Sequence, residues 1–333
     1  MSATHGLFLN LGANLASDQR SVFELALEEA KRAEAFGLHD LWVTEHHFIP
    51  FGLNPCALTL SAFLLGRTER ARVGTAVVLS PLQHAVSLAE RAALLDQLSG
   101  GRFDLGLGRG GYLKDYEVLE RPTACWDSEP VASAETILRC WHGEDLAQVE
   151  HVTGPSVMQP QPLTAPEPSL FLATSSENGI RFAAERGLPL QHYFAAPVEA
   201  RVKVEQAYSS IGPQETPVEH VHTLIVAFGD DESATRERLA AALTESFSGG
   251  NWPHVPQAPK RHADADGNPL TAADMARGAA QRALVGSPES VKDQLVAFRE
   301  ATGAQRLVYF LEAIGDPSEV VDGIDTLCER VIC

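Results

Sequence analysis

The sequence has few cysteines, and their spacing suggests neither a disulfide framework nor a zinc site. Its 333 residues include five cysteines, an odd number without a CxxC pair. Disulfide frameworks and cysteine zinc sites normally show even numbers or close pairs. We therefore interpret these five residues as buried or incidental thiols in a reducing cytoplasm.

Positive charge and long apolar runs are also scarce. The 26 Lys and Arg against 44 Asp and Glu give a net charge of −18, which argues against nucleic acid as a main partner. No apolar run approaches the roughly 18 residues that would suggest a membrane span. Residues 1–14 lack the basic and then apolar pattern of a secretion signal. We expect a cytoplasmic protein that does not contact a membrane.

Short apolar runs alternate with helical patterns along the whole chain, of which 44% is hydrophobic. Continuous apolar strands of this kind are typical of a parallel sheet covered by helices. Eight strand–helix units predict one α/β domain over residues 1–333, a (β/α)₈ TIM barrel. The absence of GxGxxG after the first run disfavours an open dinucleotide-binding sheet. The predicted strands are residues 7–12, 40–48, 72–80, 103–108, 170–174, 190–194, 221–229 and 306–312.

Local signals add detail to this pattern. Ser21 with Glu24 three residues later predicts a capping box that opens the first helix, and Gly37 suits its end. The proline-rich residues 143–169 predict an excursion before strand five. The polar residues 248–275 predict a mobile, lid-like insertion after strand seven, although a tolerated surface insertion is the alternative.

Two neighbouring histidines follow strand two, in Thr44-Glu45-His46-His47-Phe48. Ionisable residues at the C-terminal end of a barrel strand are candidates for catalysis. If the strand continues through them, His46 and His47 point to opposite faces and cannot easily share a metal ion. A shared ion would need an HxH pair on one face of the strand, which is absent here, so we expect no bound metal in this protein. Either histidine could instead simply pack at the rim.

Glycines and an arginine end strand four, in Gly106-Leu107-Gly108-Arg109-Gly110-Gly111. Missing side chains would let a flat group approach the backbone closely. The fork of Arg109 suits an anionic group such as phosphate. A plain turn with a surface arginine fits this pattern equally well.

Two serines follow strand five, in Ala173-Thr174-Ser175-Ser176-Glu177. Free amides and serine hydroxyls at a helix start can bind an anion. One of the two serines could instead only cap the helix.

Together these segments resemble the bacterial luciferase-like monooxygenases, flavin-dependent enzymes built on a (β/α)₈ barrel. The resemblance rests on LWVTEHHFIPFG (41–52), on residues 73–119 with GRFDLGLGRG, on ATSSENGIRFAAERGLP (173–189) and on ALVGSPESVKDQL (283–295). The RGGYLKDYEV stretch is similar to the catalytic subunit of bacterial luciferase. These matches follow the family's order over nearly the whole chain.

The resemblance implies reduced flavin mononucleotide (FMN) at the barrel mouth, where it would react with O₂ to give a C4a peroxide that oxygenates a small organic substrate. His46 matches the family's general base, and Glu45 and His47 match its neighbours, so the resemblance implies a catalytic role for all three residues. The cofactor-binding residues that it implies are Asn10, Ala76, Val77, Leu107, Arg109, Gly110, Ser175 and Ser176, of which Arg109 and the two serines would hold the phosphate.

One departure is Gly108, which stands where the luciferase subunit has a reactive cysteine and puts luciferase-like specificity in doubt. The resemblance further implies a separate flavin reductase and a homodimer formed through the helices after strands two and three. An aldehyde, a ketone or an aromatic biosynthetic intermediate would be the substrate. The alternatives are an F420-dependent oxidoreductase of the same fold and a non-catalytic flavin-binding partner subunit.

Overall fold

The computed structural model describes residues 3–122, 124–125, 129–147, 154–164, 169–212, 218–248 and 270–332. Eight parallel strands form a closed barrel, which confirms the predicted fold. Around the barrel they are β1 (Thr4–Leu9), β2 (Asp40–Val43), β3 (Arg72–Thr75), β5 (Phe103–Gly108), β6 (Leu170–Leu172), β7 (Gln191–His192), β8 (Val221–Phe228) and β10 (Arg306–Phe310). Pairing of β1 with both β2 and β10, and a bridge between Leu172 and Leu190, close the ring.

Two short strands extend this ring. β4 (Val78–Leu79) continues from β3 and pairs with the end of β5, whereas β9 (Leu284–Gly286) pairs with the end of β8. The predicted strand 72–80 is therefore interrupted after Thr75. Strand two also ends earlier than predicted, at Val43, so the two histidines lie in the loop that follows it.

Helices cover the outside of the barrel. They are α1 (Gln19–Phe36), α2 (Ala57–Leu65), α3 (Ala85–Ser99), α4 (Leu113–Val118), α5 (Glu129–Trp141), α6 (Glu177–Arg186), α7 (Val198–Ser209), α8 (Glu232–Ser248), α9 (Ala272–Arg282), α10 (Pro288–Thr302) and α11 (Pro317–Thr326). No helix among these described residues is long and apolar enough to cross a bilayer.

Helix boundaries correct two predictions. The first helix is capped by Asp18, whose side chain accepts from the Ser21 amide, so Ser21 lies inside the helix and is not its cap. Within the predicted 248–275 insertion, a capping box of Thr271 and Asp274 begins α9 at Ala272. Residues 249–269, the rest of that insertion, lie outside the described residues.

The excursion before strand five is described at residues 143–147, 154–164 and 169. Its second part packs against the end of α3. There the buried Asp96 carboxylate accepts hydrogen bonds from the amides of Leu163 and Thr164 at 2.7 Å and from the Thr164 hydroxyl at 2.7 Å. These contacts attach the excursion to the outer helical layer.

Four charged side chains join strands near the N-terminal end of the barrel. Arg306 donates to Asp40 at 2.5 Å and to Asp104 at 2.7 Å, and Arg72 also donates to Asp104. The Arg306 guanidinium lies 5.0 Å from the ring centre of Trp42. Because Asp40 and Asp104 are fully buried, these ion pairs neutralise charges that water cannot reach.

Exposed apolar side chains mark the outer surface of α2 and α3. Ala62 and Phe63 of α2 are exposed, as are Leu94 and Leu98 of α3. By contrast, Ala57, Leu58, Leu60 and Leu64 are buried in the core. Only part of the predicted dimer surface is therefore available to a partner, and the homodimer stays a prediction.

Candidate active site at the barrel mouth

The C-terminal ends of the strands bring the predicted site residues to one end of the barrel. The register pairs Leu9 with Val43, Val43 with Thr75, and Leu107 with Leu172. Since all these strands are parallel, the loops that follow β1, β2, β5 and β6 leave at the same mouth. The segments carrying Asn10, His46 and the two anion-binding candidates therefore share one rim.

His46 is packed into this rim by the loop that follows β2. Its amide donates to the Asn54 carbonyl at 2.8 Å, and its ring lies 4.9 Å from that of Phe51 and 6.4 Å from that of Tyr112. A side chain at Gly52 would meet the imidazole at 2.5 Å. Burial, with a smaller contribution from His47, lowers the pKa of His46 to about 3. The imidazole is therefore neutral near pH 7 and able to accept a proton.

Glu45 is buried and its carboxylate is already occupied. One oxygen accepts from the Ala57 amide at 2.9 Å, at the start of α2. The other accepts from the Leu79 amide at 3.1 Å and from Gln83 at 3.4 Å. These contacts attach the histidine loop to α2 and β4. They favour a positioning role for Glu45 over the catalytic role that the resemblance implied.

His47 and Asp115 are two further titratable residues of this rim. His47 Nε2 lies 3.9 Å from Glu45 Oε1, and the interaction with this carboxylate raises the pKa of the histidine, with a further contribution from Asp115. Burial raises the pKa of Asp115 to about 7, which His47 partly opposes. Asp115 Oδ1 has no hydrogen-bond partner among the described residues. The sequence analysis missed Asp115 because helix α4 was not predicted.

Asn10 lies buried where β1 reaches the mouth. Its amide donates to the Phe51 carbonyl at 2.5 Å, while its Oδ1 has no partner among the described residues. The backbone amides of Asn10 and Leu11 donate to Glu312 at 2.9 and 2.7 Å. Burial raises the pKa of Glu312 to about 7. Burial and the neighbouring Glu312 also hold the pKa of Glu29 well above its usual value. This carboxylic acid pair fixes the turn after β1.

The wall between β3 and β5 contains three of the predicted flavin contacts. The peptide bond from Ala76 to Val77 is cis, and the Ala76 amide donates to the Val43 carbonyl at 2.7 Å. Leu107 is fully buried in β5. Ala76 and Val77 are partly buried at the upper edge of this wall.

The glycines on and after β5, the fourth strand of the barrel, have a different role from the one predicted. A Cβ at Gly106 would lie 1.9 Å from the Thr75 carbonyl oxygen, and one at Gly108 would lie 2.5 Å from the Val77 side chain. A Cβ at Gly110, whose φ is +78°, would lie 3.0 Å from the Leu79 side chain. At these three positions the free space is filled by the neighbouring wall, not left open for a ligand. Close packing also explains why Gly108 carries no cysteine.

Arg109 and Ser175 leave the barrel side by side. The Ala173 amide donates to the Leu107 carbonyl at 2.9 Å. Arg109 lies two residues after Leu107, and Ser175 lies two residues after Ala173. Ser176 caps α6 by accepting from the Gly179 amide at 3.0 Å, which confirms the capping alternative for this serine. Ser175 is exposed beside the helix start. An arginine, an exposed serine and a helix N-terminus thus follow neighbouring strands at the mouth, and together they are the candidate anion-binding corner.

A family model described as "Luciferase-like monooxygenase" matches residues 5–306. The chain belongs to the luciferase-like monooxygenase family. The resemblance predicted from the EHHF and GRFDLGLGRG segments is confirmed, and the expectation of an oxidoreductase agrees with it. Family membership does not by itself identify which residues of this chain contact a ligand.

Among relatives, the alkanal monooxygenase alpha chain of the Kryptophanaron alfredi symbiont is 32% identical over 52% of this chain and 49% of its own length. The oxygenase component of flavin-dependent trigonelline monooxygenase from Acinetobacter baylyi is 30% identical over 52% and 49%. The match thus spans about half the length of these two proteins. The alkanal monooxygenase alpha chain of Photobacterium leiognathi is 27% identical over 94% and 93%.

Solved structures share the fold over nearly the full chain. Monooxygenase RslO1 from Streptomyces bottropensis superposes with a TM-score of 0.79, at 22% identity and 98% coverage of both chains. The oxygenating constituent of 3,6-diketocamphane monooxygenase from Pseudomonas putida, in complex with FMN, gives 0.72 at 18% identity, covering 99% and 98%. An F420-dependent secondary alcohol dehydrogenase gives 0.74 at 18%, with the same coverage.

Proposed function

We propose that this family member is the oxygenase component of a two-component FMN-dependent monooxygenase. The observation that carries the proposal is the meeting, at one barrel mouth, of a neutral buried histidine with an anion-binding corner. His46 follows β2, while Arg109 and Ser175 follow the adjacent strands β5 and β6. A ligand that uses both places needs a long body and an anionic tail, as FMN has.

The residues around the mouth fit this cofactor. Arg109, Ser175 and the start of α6 would hold the phosphate, and the Ala76–Val77 and Leu107 wall would border the ring system. Reduced FMN supplies the two electrons that activate O₂. The protein then has to orient the substrate, exclude water and move protons.

His46 is neutral near pH 7, because burial lowers its pKa to about 3. The negative charge of bound reduced FMN would raise that pKa and make the ring a better proton acceptor. Its rigid packing against Phe51 favours one ring orientation. Burial raises the pKa of Asp115 to about 7, and the Glu45 carboxylate raises that of His47, so we assign proton exchange with solvent to these two groups. In this scheme Glu45 and Glu312 are positioning residues that hold the two loops bearing His46 and Asn10.

The partners follow from this chemistry. A separate flavin reductase would deliver reduced FMN, O₂ would be the co-substrate, and a small aldehyde, ketone or aromatic compound would receive the oxygen. A homodimer through the exposed residues of α2 and α3 remains part of the proposal.

The phosphate corner can be tested by comparing FMN with riboflavin, which lacks the phosphate. We expect Arg109→Gln to weaken binding of reduced FMN by roughly 10- to 100-fold, since a hydrogen bond to a charged group contributes about 1.5–3 kcal/mol. Riboflavin affinity should change by less than about 2-fold. Anaerobic fluorescence titration of the purified chain measures both constants.

Arg181→Gln is the matched control, because Arg181 lies on the outer surface of α6 and pairs with Glu177. It should bind both flavins as the original chain does. Equal loss of FMN and riboflavin affinity in Arg109→Gln would contradict a phosphate contact. Titration with reduced F420 tests the alternative that the chain is an F420-dependent oxidoreductase, as one structural neighbour is. Tighter binding of F420 than of FMN would favour it.

The pH dependence of the mouth should depend on Asp115. We expect the rate at which bound reduced FMN reacts with O₂ to change with an apparent pKa near 7, which belongs to the Asp115–His47 pair. Asp115→Asn removes one titrating group and also the negative charge that raises the pKa of His47. The remaining transition should therefore move to lower pH.

Stopped-flow absorbance across the pH range measures this profile. Asp293→Asn, an exposed substitution of the same type on α10, is the control and should leave the profile unchanged. A transition that stays in place in Asp115→Asn would show that Asp115 is not the titrating group.

A further inference from the structure

Three histidines and one glutamate form a second titratable cluster, away from the residues of the mouth. His192 lies on β7 and His222 on β8, where the parallel register places them directly side by side. Glu205 reaches them from helix α7, and His220 immediately precedes β8. The cluster therefore lies between the outer face of the barrel and its helical layer. Gln191, the neighbour of His192, points the other way and donates to the Thr75 carbonyl.

The nitrogen and oxygen atoms of this cluster converge. His192 Nε2 lies 2.6 Å from Glu205 Oε1, and His222 Nε2 lies 3.4 Å from the same oxygen. One ligand atom from each of the three residues falls within 4.8 Å of the others. In a tetrahedral zinc site with bonds of about 2.0–2.1 Å, neighbouring ligand atoms lie about 3.3 Å apart. The 2.6 Å contact would need to lengthen, whereas the 3.4 Å contact already fits this spacing.

His220 supports the carboxylate from outside the ligand set. Its Nδ1 accepts from the Leu190 amide at 2.9 Å, which assigns the proton to Nε2. That Nε2 lies 3.3 Å from Glu205 Oε2 and so donates to the oxygen that faces away from the other two histidines. An outer hydrogen bond of this kind is the usual support for a carboxylate ligand.

Hydrogen bonds to Glu205 set the proton positions in the metal-free cluster. His192 and His222 each present Nε2 to Oε1 of this carboxylate, at 2.6 and 3.4 Å, and so carry their protons on Nε2. When an ion binds, each ring would carry its proton on Nδ1 instead and bind the ion through Nε2. His222 Nδ1 also has no partner among the described residues, so protein groups do not fully satisfy this network.

We propose that His192, Glu205 and His222 bind a divalent first-row transition metal ion such as Zn²⁺, with water as a fourth ligand. Two imidazoles and a carboxylate are ligands that these ions take readily. The Glu205 side chain is 20% exposed, whereas both histidines are nearly buried, so solvent reaches the ion from the glutamate side. The net charge of −18 favours a bound cation.

Arg201 is the one cation that faces this cluster among the described residues. It lowers the pKa of His192 and of His222, but its Nε and Nη2 donate to the carbonyls of Ala196, Tyr193, Phe194 and Thr223. Its Nη1 has no partner among the described residues. Its charge reduces the affinity without competing for the ligand atoms. The ion would link β7, β8 and α7, which makes the site structural and separate from the chemistry at the mouth.

Zinc binding by the tag-free full chain tests the site. We expect one Zn²⁺ per chain in competition titrations against a chromophoric chelator, and no comparable binding of Mg²⁺, which prefers oxygen ligands. Glu205→Gln and His222→Gln should each weaken Zn²⁺ binding by at least about 100-fold, and His220→Gln by about 10- to 100-fold. His84→Gln, at an exposed histidine at the start of α3, should bind as the original chain does.

A second measurement does not depend on the variants folding. X-ray absorption of the zinc-loaded original chain should show nitrogen and oxygen neighbours with imidazole scattering and no sulfur. Absence of stoichiometric Zn²⁺ binding would overturn the proposal, as would sulfur in the first shell. Undiminished binding in the double variant His192→Gln/His222→Gln would overturn it as well.

Discussion

Replacing His46 with glutamine is expected to reduce kcat/KM for oxygenation by roughly 10²- to 10⁴-fold, the usual contribution of a general base. Glutamine is close in size and retains a hydrogen-bonding group, but its amide has no basic nitrogen. The neighbouring Phe51 and Tyr112 packing should survive this change. Affinity for reduced FMN should therefore stay within about 2-fold of the original value.

The measurement begins with a panel of aldehydes, ketones and aromatic compounds, supplied with a flavin reductase and O₂. The compound that the original chain oxygenates is then used to compare variants. His39→Gln is the control, since His39 precedes β2 at the opposite end of the barrel and interacts with Asp40. Full activity in His46→Gln would contradict its role as the base. Loss of FMN binding would instead indicate a role in holding the cofactor.

Strand positions were predictable because a parallel barrel strand is buried on both faces. Runs such as 103–108 and 306–312 contain almost only apolar residues and glycine, and the structure buries β5 and β10 throughout. Helix ends were predictable where one residue type determines them, as at Gly37, which takes the left-handed conformation. Helix α9 carried such a signal in Thr271 and Asp274, but its apolar face is mostly alanine and the surrounding sequence is polar.

The candidate site was predictable only in part, because several contacts depend on residues far apart in the chain. Glu312 binds the Leu11 amide across 301 positions, and nothing in the local sequence of either residue indicates this bond. The role of the strand-four glycines depends on what the adjacent strand presents, which is Val77 in the case of Gly108. The expectation of no bound metal overlooked the HxH spacing of His220 and His222, and Glu205 joins them only through the packing of α7.

Replacing Arg306 with methionine should destabilise the fold by about 3–5 kcal/mol, because it leaves two buried carboxylates without their shared cation. Methionine keeps much of the apolar volume, so packing against Trp42 is largely retained. Asp40 is fully buried and would keep only His39, at 3.2 Å, as a partner. Arg72 still neutralises Asp104. Most of the lost stability should therefore be traceable to Asp40.

The pH dependence distinguishes this cause from a simple packing defect. Although burial opposes it, Arg306 lowers the pKa of Asp40 in the folded chain, so the ion pair stabilises the fold at neutral pH and less so in acid. Without Arg306, burial raises the pKa of Asp40 above its usual value, and protonation relieves the penalty as the pH falls through that raised pKa into the acid range. Thermal unfolding of both chains should show their stabilities converging over this range. The control is Arg20→Met, at an exposed ion pair with Glu24, which should unfold as the original chain does at each pH. If the loss of unfolding free energy in Arg306→Met does not change with pH, its cause is lost packing.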